Sequence, residues 1–134
     1  MMNTLIHKTI KPFLILSGLF TALIVKVVVF PQSGLESTFQ LEYQETYKIL
    51  IQHWSSMILL VGLFLILSAF IRFLRVPVVL YATAEKIFYA VFYFANRQHD
   101  YAGGFALSAM IDTIIVIYFI IYLCVTVTAR NDLM

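Results

Sequence analysis

A chain of 134 residues that is 62% hydrophobic and only 12% charged, with a mean hydropathy of +0.93, does not have the composition of a soluble domain, which is about 45–50% apolar and about 25% charged. Its apolar residues come in blocks long enough for the roughly 20-residue span of a bilayer, so lipid is the expected solvent for most of the chain. The net charge of +2 includes no basic tract for nucleic acid, and Cys124, the single cysteine, has no CxxC partner for thiol–disulfide chemistry within the chain.

The first block covers 13–30 (FLILSGLFTALIVKVVVF), bounded by Pro12 and Pro31. Lys8 and Lys11 ahead of it resemble the start of a signal peptide. The apolar run is longer than a usual signal core, however, and ends in VVVFPQSG without a small-x-small cleavage site, so it reads as a retained first helix. The segment 31–47 follows as the one sizeable extramembrane connection, with Leu41, Tyr43 and Tyr47 placed to rest on the interface. The second block is 50–71 and the third 76–95, with Pro77 near its start, where a missing N–H costs nothing. Gly103 and Gly104 mark the turn into the fourth block, 104–126.

The runs are apolar all round rather than alternating, which disfavours a β-barrel. Blocks two to four are joined by short connections that force antiparallel neighbours, so the expected fold is all-α: one integral membrane domain, a four-helix up-and-down bundle. Ser17, Gly18, Thr21, Ser55, Ser56, Gly62 and Ser108 would let helix backbones approach closely. Lys8, Lys11, Arg72, Arg75 and Arg130 fall on one side of such a bundle, and Lys48 and Arg97 on the other. That bias puts both termini in the cytoplasm.

Lys26, His53, Glu85, Lys86 and Asp112 are ionisable and lie within the spans, where insertion scales put the cost of an Asp, Lys or Arg at about 2.5–3.5 kcal/mol. At about 1.5 Å per residue, Lys26 sits about 6 Å inside the outer boundary and His53 about 4–5 Å. Snorkelling explains the first, and an interfacial aromatic belt shared with Trp54 explains the second. Glu85 and Lys86 lie about 12–15 Å from either end of their span, with Asp112 at comparable depth. Adjacent residues on a helix are rotated by about 100° and do not face each other. Lys86 is therefore expected to pair with Asp112, and Glu85 to look towards Lys26, His53 or a tyrosine hydroxyl. Tyr81, Glu85, Tyr89 and Phe92 share a face, predicted to point into the bundle. Two readings of that wall stand: a network that only fixes helix order, or a pocket for a polar head on an apolar body. Under the second, Glu85, Lys86, Tyr89, Asp112, His53 and Lys26 are the candidate ligand-binding residues.

No phosphate-cradling glycine loop, serine-nucleophile elbow, clustered metal ligands or paired haem histidines appear. No cofactor is expected, and an enzyme is the least favoured class. The stretches HWSSMILLVGLFLILSAF and RFLRVPVVLYATAEK, followed by an aspartate in the fourth block, resemble the small DoxX-like membrane proteins. That group includes DoxX-type quinol-oxidase accessory subunits. The resemblance covers about 30–121 and rests on His53-Trp54, Gly62, Arg75-x-Pro77, Glu85-Lys86 and Asp112. It implies a four-helix protein of a bacterial inner membrane and supplies no catalytic residues. Three functions follow as expectations: binding of a small amphipathic, quinone-like or lipid-like ligand; proton-coupled transport using Glu85; or docking to a membrane protein or a second copy of the chain.

Overall fold

The computed structural model describes residues 2–131, with side chains described for 4–129; the side chain of Arg130 lies outside the described residues. The described chain is helical: α1 (Met2–Ala22), α2 (Val25–Val29), α3 (Pro31–Phe39), α4 (Lys48–Phe70), α5 (Arg75–Asn96) and α6 (Ala106–Asn131), with short 3₁₀ turns before α4, α5 and α6. Four helical stretches, Thr4–Val29, Glu45–Phe70, Arg72–Asn96 and Asp100–Ala129, are long and apolar enough to cross a membrane.

Cross-helix contacts give the bundle its directions. Lys11 Nζ lies 4.9 Å from the Phe70 ring centroid, and Gly18 meets Gly62, so α1 and α4 run antiparallel. A Cβ on Gly18 would come 2.7 Å from the Gly62 carbonyl oxygen, and one on Gly62 would come 2.8 Å from the Gly18 carbonyl oxygen. Only glycine at both positions permits that crossing. Thr9 Oγ1 and the Tyr118 hydroxyl are 2.7 Å apart, and Phe13 stacks on Tyr118 at 3.8 Å. The start of α1 thus lies beside the later turns of α6. At the α4–α5 corner, Arg75 donates from Nε to the Ser68 carbonyl (3.0 Å) and from Nη2 to that of Ala69 (2.8 Å). A cation on the last carbonyls of a helix is a favourable cap.

The first helix is longer than expected. Pro12 lies inside α1 rather than bounding it, because an exposed proline removes one backbone bond and leaves the rest of an apolar helix intact. The helix loosens at Leu23 and Ile24, whose N–H groups bond three residues back, to Phe20 and Thr21.

The larger correction concerns 31–47, expected as a loop. Pro31 opens a real helix, α3, at its first position, where its fixed φ suits the turn. Gly34 lets α3 fold back on α2, since a Cβ there would sit 2.7 Å from the Lys26 carbonyl oxygen. Gln40 ends α3 in the left-handed region, φ 56°. Leu35 and Phe39, one turn apart, are buried on its inner face. They join Ile24 and Val27 in a small apolar cluster at this end of the bundle, while the main core, with Ile10, Leu14, Leu65, Val79 and Phe119, fills the other end. Outward faces carry large exposed apolar side chains such as Leu16, Ile49, Leu63 and Ile117.

Candidate functional site

The inner face of α5 is built from Val79, Ala82, Thr83 and Lys86, spaced 3, 4 and 7 positions on from the first, as one helical face requires. The three smaller residues let neighbouring helices close in, and the lysine is the large group that fills the space they leave. Its side chain is 2% exposed, and its Nζ donates to Asp112 Oδ1 of α6 at 2.6 Å. A buried ion pair costs about 3–5 kcal/mol to break from one side, because the other charge is left without compensation. The expected mate of Lys86 is thus its partner in the structure.

One turn further along, the Tyr89 hydroxyl is 2.6 Å from Ser108 Oγ. Ser108 uses its own proton on the Phe105 carbonyl oxygen, 3.0 Å away, so Tyr89 is the donor in that contact. These polar groups lie on a half-open cavity of about 200 Å³ lined by the α1–α2 segment, α4, α5, α6 and the C-terminal end of α3, with Glu85, Lys86, Tyr89, Ser108 and Asp112 on its lining. Apart from Thr21 and Thr38, the rest of the wall is largely apolar, with Phe20, Ile24, Ile58 and Leu107 among its members.

α3 is the roof. Phe39 lines the cavity, stacks on Phe105 with ring centroids 4.7 Å apart and lies tilted against Trp54 at 5.7 Å. Gly104 makes this possible: a Cβ there would overlap the Phe39 backbone carbonyl, whereas a Cβ on Gly103 would meet nothing within 4 Å. The two glycines of one turn thus have separate duties, and only the second is dictated by packing.

Glu85 departs from expectation. Neither Lys26 nor His53 reaches it, and among the described residues its buried Oε2 has no hydrogen-bond partner. Lys26 is exposed and donates to Ser37 Oγ at 2.6 Å, because α3 brings that hydroxyl closer than anything in the bundle. His53 is exposed on α4, one step of about 100° from Trp54, which lines the cavity. The tyrosine beside Glu85 is already committed to Ser108. Leaving a buried acceptor unpaired costs about 1–3 kcal/mol, and more for a charged group. Glu85 also lines a shallower groove on the α4–α5 side, with Trp54, Tyr81, Phe88 and Phe92, so it stands between that groove and the cavity.

The predicted wall of Tyr81, Glu85, Tyr89 and Phe92 therefore does not point inward as a unit. Tyr81 and Phe92 are exposed, since the small-residue face of α5 claims the interior and turns them towards the groove. Of the six candidates, the structure gathers Glu85, Lys86, Tyr89 and Asp112 on one cavity and leaves Lys26 and His53 outside it. Sequence reasoning missed Phe39 and placed Trp54 and Ser108 in other roles. The available signal was the apolar pair Leu35 and Phe39, spaced by four after a helix-starting proline. Against family models, curated proteins and solved structures alike, the chain finds no match.

Proposed function

We propose that this chain is a multi-pass inner-membrane protein of the DoxX-like kind, with both termini cytoplasmic, whose cavity holds a small amphipathic molecule of lipid-like or quinone-like shape. Three features support the reading. The outward faces of the long helices are apolar beyond what a soluble monomer exposes. Lys8, Lys11, Arg72 and Arg75 share one end of the bundle, as the positive-inside rule asks of a cytoplasmic face. The cavity has largely apolar walls with a cluster of charged and hydroxyl groups among them, the usual form of a small-molecule site.

The observation that carries the reading is the closed Lys86–Asp112 pair beside Glu85, whose buried Oε2 has no hydrogen-bond partner among the described residues, on one cavity lining. A network serving helix order alone would have engaged all three. The same inward pairing takes from the docking-subunit reading the outward-facing charge on which it depends.

Gentle extraction of the protein from its membrane, followed by native mass spectrometry, tests the proposal. A bound small amphiphile is expected in the unaltered protein and is lost when Ser108→Phe fills the cavity. A protein that carries nothing, or a ligand indifferent to Ser108→Phe, contradicts it. One observation favours a second reading, proton-coupled transport: Glu85 lies between the cavity and the outer groove. That reading requires a substrate-driven pH change in proteoliposomes that Glu85→Gln abolishes.

A further inference from the structure

We infer that the cavity selects a protonated amine carried on a short apolar body, with Glu85 as the acceptor for its N–H groups. The inference rests on the ligand-pocket reading above and names the head group that pocket takes.

The charged residues on the lining are Glu85, Lys86 and Asp112. Lys86 and Asp112 are paired at 2.6 Å, so Glu85 is the acidic side chain on the lining whose Oε2 is left without a hydrogen-bond partner among the described residues. Three of the four hydroxyls on the lining are engaged: Thr21 donates to the Ser17 carbonyl oxygen, Tyr89 to Ser108, and Ser108 to the Phe105 carbonyl oxygen, while Thr38 is exposed on α3. None of the engaged donors is free to turn to Glu85. Rotation about the last side-chain bond is broad and roughly two-fold, so either oxygen can be presented to a ligand.

Head groups can be ranked on this geometry. An anionic head meets two carboxylates and one lysine that is already paired. A carbonyl head brings no donor for Glu85. An alcohol supplies one hydrogen bond but no charge. An ammonium supplies both the donor and the compensating charge, and charge–charge attraction is far stronger away from water than in it. Trp54, Tyr89 and Phe39 place aromatic rings on the same lining, and an aromatic ring attracts a cation over its face.

Trp54 is the only tryptophan in the chain and lines the cavity, so its fluorescence reports occupancy directly. The protein in nanodiscs of neutral phosphatidylcholine is titrated with n-octylamine, n-octanol and n-octanoate, which share one chain length and differ in the head. The expected result is a saturable Trp54 shift with the amine at a concentration about tenfold or more below that for the alcohol, the usual scale of a hydrogen bond to a charged group. Octanoate is expected to give no saturable shift, and Glu85→Gln to bring the amine level with the alcohol. Equal responses to amine and alcohol, or an amine preference that survives Glu85→Gln, overturn the inference while leaving a ligand pocket in place. Absence of a saturable response to all three probes overturns the pocket reading itself, and the inference with it. The head-group comparison in the unaltered protein decides the matter even where Glu85→Gln fails to fold.

Discussion

Lys86 Nζ and Asp112 Oδ1 meet at 2.6 Å across α5 and α6, with the lysine side chain 2% exposed. The contact joins positions 26 apart in sequence and forms the floor of the cavity described above. Its energetics are asymmetric. Lys86→Met leaves an aspartate buried without its counter-charge and is expected to destabilise the bundle by about 3–5 kcal/mol. Asp112→Leu strands the lysine at a similar cost. The double variant Lys86→Met/Asp112→Leu removes both charges and is expected to recover most of that loss. Unfolding of the four proteins in one detergent, analysed as a double-mutant cycle, measures the coupling; additive losses would show that the pair does not act as a unit.

The turn before α6 supplies a sharper comparison. Gly104→Ala drives a Cβ into the Phe39 backbone, whereas Gly103→Ala meets open space. Overpacking of this kind costs about 1–3 kcal/mol, so Gly104→Ala is expected to lower the unfolding midpoint and to shift Trp54 emission as the roof moves. Gly103→Ala is expected to stay within about 0.5 kcal/mol of the parent. Equal effects at the two positions would mean that Phe39 is not seated on Gly104.

At the crossing of α1 and α4, Gly62→Val pushes a branched side chain against the Ala22 backbone nitrogen, which already lies 2.7 Å from where a Cβ would stand. Loss of stability is expected at the overpacking scale of about 1–3 kcal/mol or more. Size reduction elsewhere cannot relieve it, because the contact is with backbone. Detergent unfolding of Gly62→Ala and Gly62→Val should show a graded loss, and a flat response would place the two helices further apart than described.

Outside the spans, the Tyr43 phenol donates to Glu45 Oε2 at 2.7 Å. Its pKa is pushed up to about 12, first by reduced hydration and then by the hydrogen bond and charge of Glu45. A raised value favours the protonated form in the folded protein. The associated stabilisation is therefore complete below the ordinary value of 10.0 and is lost as pH rises through about 12. Ultraviolet titration, read as the difference between the parent protein and Tyr43→Phe, should show a late phenol. In Glu45→Gln its midpoint should fall, yet stay above the ordinary value because the hydration effect remains.

Much of the fold was legible because apolar block length and short connections leave few arrangements open: the helical content and the helix order follow from them, whereas Gly18 and Gly62 read only as small residues that permit close approach, and their pairing comes from the structure. The Lys86–Asp112 pair was legible for a related reason. Two opposite charges at matching depth on sequence-adjacent antiparallel helices have little else to meet. The α3 roof was not legible by overall polarity, since PQSGLESTF is polar enough to pass for a loop. What holds it is tertiary: Gly34 against α2 and Phe39 against Gly104. Glu85 was misread for a different reason. Depth along a helix places a residue in the right layer, but only the direction of each face shows that Lys26 and His53 point away from it.

The proposed function requires that the cavity beneath α3 be filled from the membrane. Photolabelling with an alkyl diazirine in native membranes, followed by peptide mapping, tests it most directly. Labels are expected on the cavity residues Ile24, Phe39 and Ile58, and Ser108→Phe should suppress them. Labels confined to outward residues such as Leu63, Ile114 and Ile117, unchanged by Ser108→Phe, would contradict it.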